Sequence, residues 1–308
     1  MFNSRVGFKR WFLSLVAVSA GLPAVQADET PAGVPRYRLQ VGQELRYAGQ
    51  SEFKYDNGAH HTESTFRIWV IRENEAGGWR LVMRSGSTLT QANAQRSSSA
   101  DERVTFAWCD ITPAGEVAEN DTLGFRLRPN GVLPRLPNDV AASQAGWTSE
   151  YHRLDERKRY RLLPDQSQGS KMTIEAILDS AMNEIYGTSN VQVVTFDTSR
   201  GLPEKIVETN TQTYGFNGKG EGTTSLKAVE KHDAAWAREF AADADRYFAA
   251  KQAYDKVTGE RNQSPDDLEK SLAKAIADLK TARERIKSSE LQEQIDHDIK
   301  EHDGYVSY

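Results

Sequence analysis

Near the C-terminus, three residues have side chains that can bind a metal ion: His297, Glu301 and His302. On a helix, residues four positions apart lie on the same face, so His297 pairs with Glu301, and Asp298 pairs with His302 on the adjoining face. Imidazole and carboxylate groups at this spacing are suitable metal ligands. The same spacing is typical of a polar helix face in contact with solvent, and we favour that interpretation over a metal site.

The single cysteine, Cys109, lies in the strand-like run Val104–Ile111. Because the sequence has no Cys-x-x-Cys motif, the chain cannot by itself cycle between a dithiol and a disulfide. An exported chain with one cysteine also has no internal disulfide. We therefore predict that Cys109 is a small buried hydrophobic residue, and a reactive thiol is the alternative.

The motifs of the common hydrolases and nucleotide-binding enzymes are not found in the sequence. The Gly-rich stretch 215–222 lacks the GxxxxGK[ST] spacing of a phosphate-binding loop and precedes a strand, so we predict a flexible hairpin loop there. There is no Gly-x-Ser-x-Gly elbow. The scattered Asp and Glu residues could include the carboxylate pair of a glycosidase, but a sequence does not give the distance between two carboxylates. These observations favour a protein that is not an enzyme and uses no cofactor.

Four tryptophans fall within the β-rich part of the chain: Trp69, Trp79, Trp108 and Trp147. Aromatic side chains in strands usually pack in the core or against neighbouring strands. The alternative is that they line a groove for an apolar, lipid-like ligand or for a carbohydrate.

Residues 1–27 have the pattern of a signal peptide. A segment with three positive charges precedes an apolar run that is short for a transmembrane helix, and Val25 and Ala27 are the small residues that a cleavage site needs. We expect a bacterial protein exported to the periplasm or beyond, without membrane insertion after cleavage. Residues 28–35 are Pro-containing, and we expect a flexible lead-in.

The charge of the chain argues against two kinds of partner. Removing the three positive charges of the leader takes the net charge from −5 to −8. An acidic exported protein repels the phosphates of nucleic acid and the surface of an anionic membrane. The hydrophobic fraction of 38% and the charged fraction of 27% are those of a globular protein rather than a disordered one.

Alternating residues predict an antiparallel β domain over residues 36–231. Its clearest element is the hairpin Glu63–Ser85, in which Gly77 and Gly78 supply the turn. We expect about ten short strands without βαβ units, arranged as a curved sheet, a sandwich or an open barrel. The polar stretch 91–100 is predicted to be a loop, and the Pro-containing stretch 133–137 a crossing segment or an edge.

The periodicity becomes helical over residues 232–308. Trp236, Phe240 and Tyr247 recur at helical spacing, and Ser264 followed by Pro265 is a typical helix start. We predict a helical hairpin and a short third helix, so that the fold class is α+β.

Several stretches of the sequence resemble the N-terminal extracytoplasmic region of bacterial TlpA/ResA-type thiol-disulfide oxidoreductases, which precedes a thioredoxin-like domain. They are RLQVGQELRYAGQSEFKYDNG (38–58), STFRIWVI (64–71), ENDTLGFRLRPNGVLPRLP (119–137), TYGFNGKGEGTTSL (213–226) and EKHDAAW (230–236). The resemblance implies a β-rich region and a helical segment that accompany a redox domain. The Cys-x-x-Cys of that family is absent, so no catalytic residue is carried over, and we expect either a piece of a longer protein or a module that stands alone.

Three hypotheses follow for the function. The first is a non-enzymatic interaction or positioning module for a thioredoxin-like redox protein or domain, as the resemblance implies. The second is a curved β-sheet carrier that binds an apolar ligand or a carbohydrate in its concave face. The third is a hydrolase whose acidic site the sequence does not reveal.

Overall fold

The computed structural model describes ten stretches of the chain: residues 34–56, 58–75, 77–93, 96–99, 103–120, 131–151, 156–180, 187–213, 217–259 and 264–305. The predicted signal peptide lies outside these residues. The described part is an α+β fold, with a large curved antiparallel sheet followed by helices, as the sequence predicts.

Twelve described strands form one antiparallel sheet, where about ten were expected. They are β1 (Gln43–Tyr55), β2 (Gly58–Glu73), β3 (Trp79–Asn93), β4 (Arg96–Ser99), β5 (Arg103–Ile111), β6 (Val117–Asn120), β7 (Trp147–Tyr151), β8 (Glu156–Leu162), β9 (Lys171–Ser180), β10 (Thr188–Asp197), β11 (Leu202–Gln212) and β12 (Gly218–Lys231). The order across the sheet is β6-β5-β3-β2-β1-β12-β11-β10-β9-β8-β7, and β4 pairs with β3.

The chain builds this sheet from its middle in two halves. The first half extends from β1 outward to β6, which forms one edge of the sheet. The chain then crosses to β7 at the other edge and returns strand by strand to β12. There β12 pairs with β1, so Leu45 has Ile68 on one side and Val229 on the other. The predicted turn between β2 and β3 is present, with Gly77 at a φ of +73° that favours glycine.

Four helices complete the described fold. They are α1 (Val140–Ala145), α2 (Ala234–Gly259), α3 (Pro265–Arg285) and α4 (Ser289–Tyr305). Ser264 caps α3 by accepting a hydrogen bond from the Asp267 N–H, and Pro265 takes the first helical position, as predicted. None of the helices in the described stretches has the length and apolar character to cross a bilayer.

One face of the sheet, which we call the inner face, carries the larger apolar core. Side chains from both halves of the sheet meet there, including Leu45, Ile68, Cys109, Ile174 and Phe196. The segment 131–139, which we call the crossing segment, inserts Leu133 and Leu136 into the same core. This confirms the crossing-segment prediction for 133–137, since the two leucines are buried and the segment forms no strand.

The opposite face, the outer face, is covered over part of its width by the C-terminal helices. Trp69, Val82 and Phe106 of the sheet pack against Phe240 and Tyr247 of α2. Side chains of α3 and α4, such as Leu279 and Leu291, join the same cluster. The helical segment therefore stabilises the sheet by burying apolar side chains on the face opposite the first core.

Two local predictions are wrong. The stretch 91–100 is not a loop throughout, because β3 continues to Asn93 and β4 pairs with it. The Gly-rich stretch 215–222 is a strand from Gly218 onward, because it pairs with both β1 and β11. Residues 28–33 of the predicted lead-in lie outside the described residues, and its last two residues, Val34 and Pro35, are buried.

Candidate functional site

A hollow of about 180 Å³ lies on the inner face, where the apolar core gives way to polar side chains. Its described lining includes Ser51, Ser64, Phe66, Gln192, Glu208 and Asn210. These residues come from β1, β2, β10 and β11. We call this space the polar hollow. At about 30 Å³ for each water molecule of the liquid, this volume corresponds to roughly six water molecules, which is space for a small ligand.

The carboxylate of Glu208 is the centre of a hydrogen-bond network in the hollow. Its Oε1 accepts from the amide Nδ2 of Asn190 at 2.7 Å and of Asn210 at 2.9 Å, and its Oε2 accepts from Nε2 of Gln192 at 3.1 Å. An ionised carboxylate has about four acceptor positions, so about one is left on Glu208. Glu208 is also the one charged residue among the described residues that line the hollow.

The network extends from Gln192 to a buried lysine. Lys158 on β8 is 5% exposed, and its Nζ donates to Oε1 of Gln192 at 3.0 Å. To reach β10 the lysine must pass over β9, where Ala176 and Leu178 are its inner-face neighbours. Because Lys158 fixes the oxygen of the Gln192 amide, the nitrogen of that amide is left to donate to Glu208.

Asn190 has a polar atom without a partner. Its Nδ2 donates to Glu208, whereas its Oδ1 is buried and has no hydrogen bond to any described residue. A buried acceptor without a partner costs about 1–3 kcal/mol.

Small residues leave the space that the hollow occupies. A Cβ at Gly49 would lie 2.4 Å from Oγ1 of Thr224 and 2.9 Å from Oγ of Ser64. A Cβ at Gly222 would lie 2.9 Å from Cβ of Ser51. Glycine at these two positions therefore lets the hydroxyl-bearing side chains of adjacent strands approach each other on the inner face.

A second polar cluster lies on the outer face, where the sheet meets the helices. Glu44 is fully buried, and its carboxylate accepts from Nε of Arg46 and of Arg67 at 2.7 Å and contacts Nε2 of His232 at 2.9 Å. Burial by itself raises the pKa of Glu44, but the hydrogen bonds from these three partners outweigh it and lower the pKa to about 2. Arg67 also contacts Glu290 at the start of α4, so the cluster links the sheet to the helices.

The same cluster contains a group with the composition of a metal site. Ligand atoms of Glu44, Glu230 and His232 lie within 4.8 Å of one another. However, Arg46 donates to both carboxylates and Arg67 donates to Glu44, so fixed cations already occupy their acceptor positions. A metal ion would lie beside two guanidinium groups, so these residues fit an ion-pair cluster and not a metal centre.

The four tryptophans do not come together. Trp147 and Trp79 pack on the inner face, and the Trp147 Nε1–H donates to the Arg135 carbonyl at 2.8 Å. Trp69 and Trp108 point to the outer face, where Trp69 contacts Phe240 and Trp108 lies under the guanidinium of Arg80. Because the two pairs are on opposite faces of the sheet, the four side chains cannot line one groove.

The C-terminal candidates for a metal site are only partly described. Asp298 is buried in the helical segment, where it accepts hydrogen bonds from Tyr247 Oη and from Nε2 of Gln294. Desolvation raises the pKa of Asp298. His297 lies on α4 next to it, while the side chains of Glu301 and His302 lie outside the described ones. In the described part of this group, the carboxylate of Asp298 therefore takes part in the packing of α4 against α2.

Cys109 is buried in the inner-face core, and burial raises the pKa of its thiol well above the usual range. The structure thus places it as a small hydrophobic residue.

Sequence reasoning did not single out any residue of the polar hollow. Glu208, Gln192 and Asn210 alternate with other residues as ordinary polar positions of a strand do. A usable signal was present in the pattern itself, because these positions fall on the face that carries Ile206 and Val194 and is therefore the core face.

Comparison with known proteins leaves the family open. No protein-family model and no curated protein matches the chain. A structure of lipovitellin, described for its lipid–protein interactions, is similar over 64% of this chain with 9% identity and a TM-score of 0.40, and this chain spans 26% of it. The hypothetical protein CT021 of Chlamydia trachomatis is similar over 61% of this chain and 91% of its own length, with 9% identity and a TM-score of 0.17. With TM-scores below 0.5, neither similarity bears on the function of this chain.

Proposed function

We propose that the chain is an exported, non-enzymatic binding module whose curved sheet binds a small, hydroxyl-rich ligand of the carbohydrate class in the polar hollow. The observation that carries this proposal is the Glu208 network, in which three amide groups donate hydrogen bonds to a carboxylate that lines the hollow. Fixed polar groups of this kind orient a ligand without taking part in bond formation.

The filled core supports a polar ligand over an apolar one. The apolar part of the inner face is occupied by side chains of the protein itself, including Leu133 and Leu136 of the crossing segment. The hollow lies beyond this core, and hydroxyl, amide and carboxylate side chains contribute to its lining beside Phe66 and Ile206. A lipid-like ligand would leave these groups without partners, which is unfavourable.

The chemistry of the lining matches that of a sugar. Ser51, Ser64 and Thr224 carry hydroxyl groups, which both donate and accept hydrogen bonds, and the amides of Gln192 and Asn210 stand beside them. Phe66 supplies an apolar surface on the same wall, against which the C–H face of a sugar ring can pack.

A pair of variants tests this proposal. Ser64 lines the hollow, while its neighbour Thr65 is exposed on the opposite face of the same strand. In calorimetric titrations of the chain lacking residues 1–27 with neutral mono- and disaccharides, we expect Ser64→Leu to abolish binding and Thr65→Leu to preserve it. Equal effects of the two substitutions, or no binding by the unsubstituted chain, would refute the proposal.

Association with a thioredoxin-like redox protein is a separate proposal, which the sequence resemblance motivates. The outer face of β10 and β11 offers a surface for such a partner, because Val193 and Val207 are half-buried and lie opposite each other there. In a pull-down from the exported fraction, we expect a thioredoxin-like protein to be recovered with the unsubstituted chain and lost with Val207→Glu. Failure to recover any such protein would count against this association and would leave the ligand proposal unaffected.

A further inference from the structure

The charged residue of the polar hollow indicates which class of sugar would bind there. Glu208 lines the hollow, and no other described lining residue is charged. The three donors to its carboxylate are neutral amides, so they orient the group without cancelling its charge. About one acceptor position of the carboxylate is left for a ligand.

The nearest cation in the network does not reach the carboxylate directly. Lys158 donates to the oxygen of Gln192, and the nitrogen of the same amide donates to Glu208, so one complete amide group separates the two charges. Lys158 is not among the residues that line the hollow. Among the charged side chains that the structure describes around the hollow, a ligand therefore meets that of Glu208 first.

The acceptor position that is left on Glu208 sets the chemistry of the ligand group that meets it. That group must carry an N–H or O–H donor, and a positive charge on it would be complementary to the carboxylate. A primary ammonium has three donors and one positive charge.

We infer that the polar hollow selects a sugar that carries an ammonium group, with Glu208 as the residue that determines this specificity. The inference rests on the proposed function, because it concerns the same hollow. In it the sugar hydroxyls meet Ser51, Ser64 and Thr224, and the ammonium meets the free acceptor position of Glu208.

Three sugars that differ in charge test this inference. Glucosamine is a cation at neutral pH, glucose is neutral and glucuronate is an anion. In calorimetric titrations of the chain lacking residues 1–27, we expect glucosamine to bind about tenfold more tightly than glucose, and glucuronate more weakly than glucose. Added salt should weaken the binding of glucosamine and leave that of glucose unchanged.

The variant Glu208→Gln removes the charge and keeps the shape of the side chain. We expect it to bring the affinity for glucosamine down to that for glucose, while Glu221→Gln, at an exposed position on β12 whose carboxylate pairs with Lys219, keeps the preference. If Glu208→Gln does not fold, the order of the three sugars with the unsubstituted chain decides the question. Equal affinity for glucose and glucosamine would overturn the inference and leave the proposed function standing, whereas binding of none of the three would refute both.

Discussion

Arg67 on β2 donates from its Nε to Oε1 of Glu44 on β1 over 2.7 Å, and the carboxylate that it contacts is fully buried. Arg67 is also within 4.7 Å of the ring of Trp69, which packs against Phe240 of α2. One guanidinium group therefore contacts both the buried charge and the aromatic side chains that hold the helices on the sheet.

The first prediction concerns acid stability. The pKa of Glu44 is lowered from 4.5 to about 2 in the folded chain, so its ion pairs stabilise the fold above pH 4.5 and this contribution is lost as the pH falls from 4.5 towards 2. The contribution is on the order of 3 kcal/mol. The difference in free energy of unfolding between the unsubstituted chain and Glu44→Gln, measured by urea titration, should shrink over this pH window. A constant difference from pH 6 to pH 2 would contradict it.

The second prediction concerns Gly220 on β12. A Cβ at this position would lie 2.7 Å from Cδ2 of Phe53, whose ring covers the glycine from the neighbouring strand. Gly220→Val should lower the free energy of unfolding by about 1–3 kcal/mol, because the ring must move out of its packed position. Gly131→Ala is the control, since a Cβ there meets no atom of the described residues within 4 Å, and it should change the stability by less than about 1 kcal/mol. Equal stability changes would show that Phe53 does not restrict β12.

The third prediction concerns the thiol of Cys109. Because the residue is buried and burial raises its thiol pKa, we expect negligible reaction with Ellman's reagent in the folded chain at pH 8 and complete reaction in guanidinium chloride. Cys109→Ala should react under neither condition. Equal labelling rates for the folded and the unfolded chain would place the thiol at the surface.

The fourth prediction concerns the crossing segment. Leu136 is fully buried in the inner-face core, so Leu136→Ala should lower the free energy of unfolding by about 2–5 kcal/mol. Val140, four residues later, is 43% exposed, and Val140→Ala should change it by less than about 0.5 kcal/mol. Thermal or chemical denaturation of the two variants distinguishes these outcomes. A small effect of Leu136→Ala would mean that the segment lies on the core without contributing to it.

The architecture was largely predictable from local patterns. Alternation in Glu63–Ser85 and the helical spacing of Trp236, Phe240 and Tyr247 each correspond to an element of the predicted type. These signals are strong because each element buries one side, and burial imposes its period on the sequence.

The errors fall where neither side of a strand is apolar. The stretches 91–100 and 215–222 contain Ser, Gly and charged residues, which are typical of loops, yet parts of both are paired strands. Backbone hydrogen bonds to neighbouring strands determine that these segments are extended. The partner residues, such as Phe53 opposite Gly220, are remote in the sequence.

The polar hollow was not predictable for a related reason. Gln192 and Glu208 meet because β10 and β11 pair in one register, and Lys158 reaches them across β9. A shift of one residue in that register would turn the carboxylate to the other face. The chemistry of the site therefore depends on strand pairing, which a single sequence does not specify.

The pairing of β1 with β12 has a consequence for synthesis. When the first half of the sheet has been translated, one side of β1 is still unpaired, because its partner β12 is among the last strands of the β domain to be made. Until β12 arrives, the nascent chain exposes a backbone edge of thirteen residues that can join any extended segment it encounters. We expect the yield of folded protein to depend on how well this edge is shielded until β12 has been made. A chaperone that binds the edge, or delayed collapse of the first half, would provide this protection.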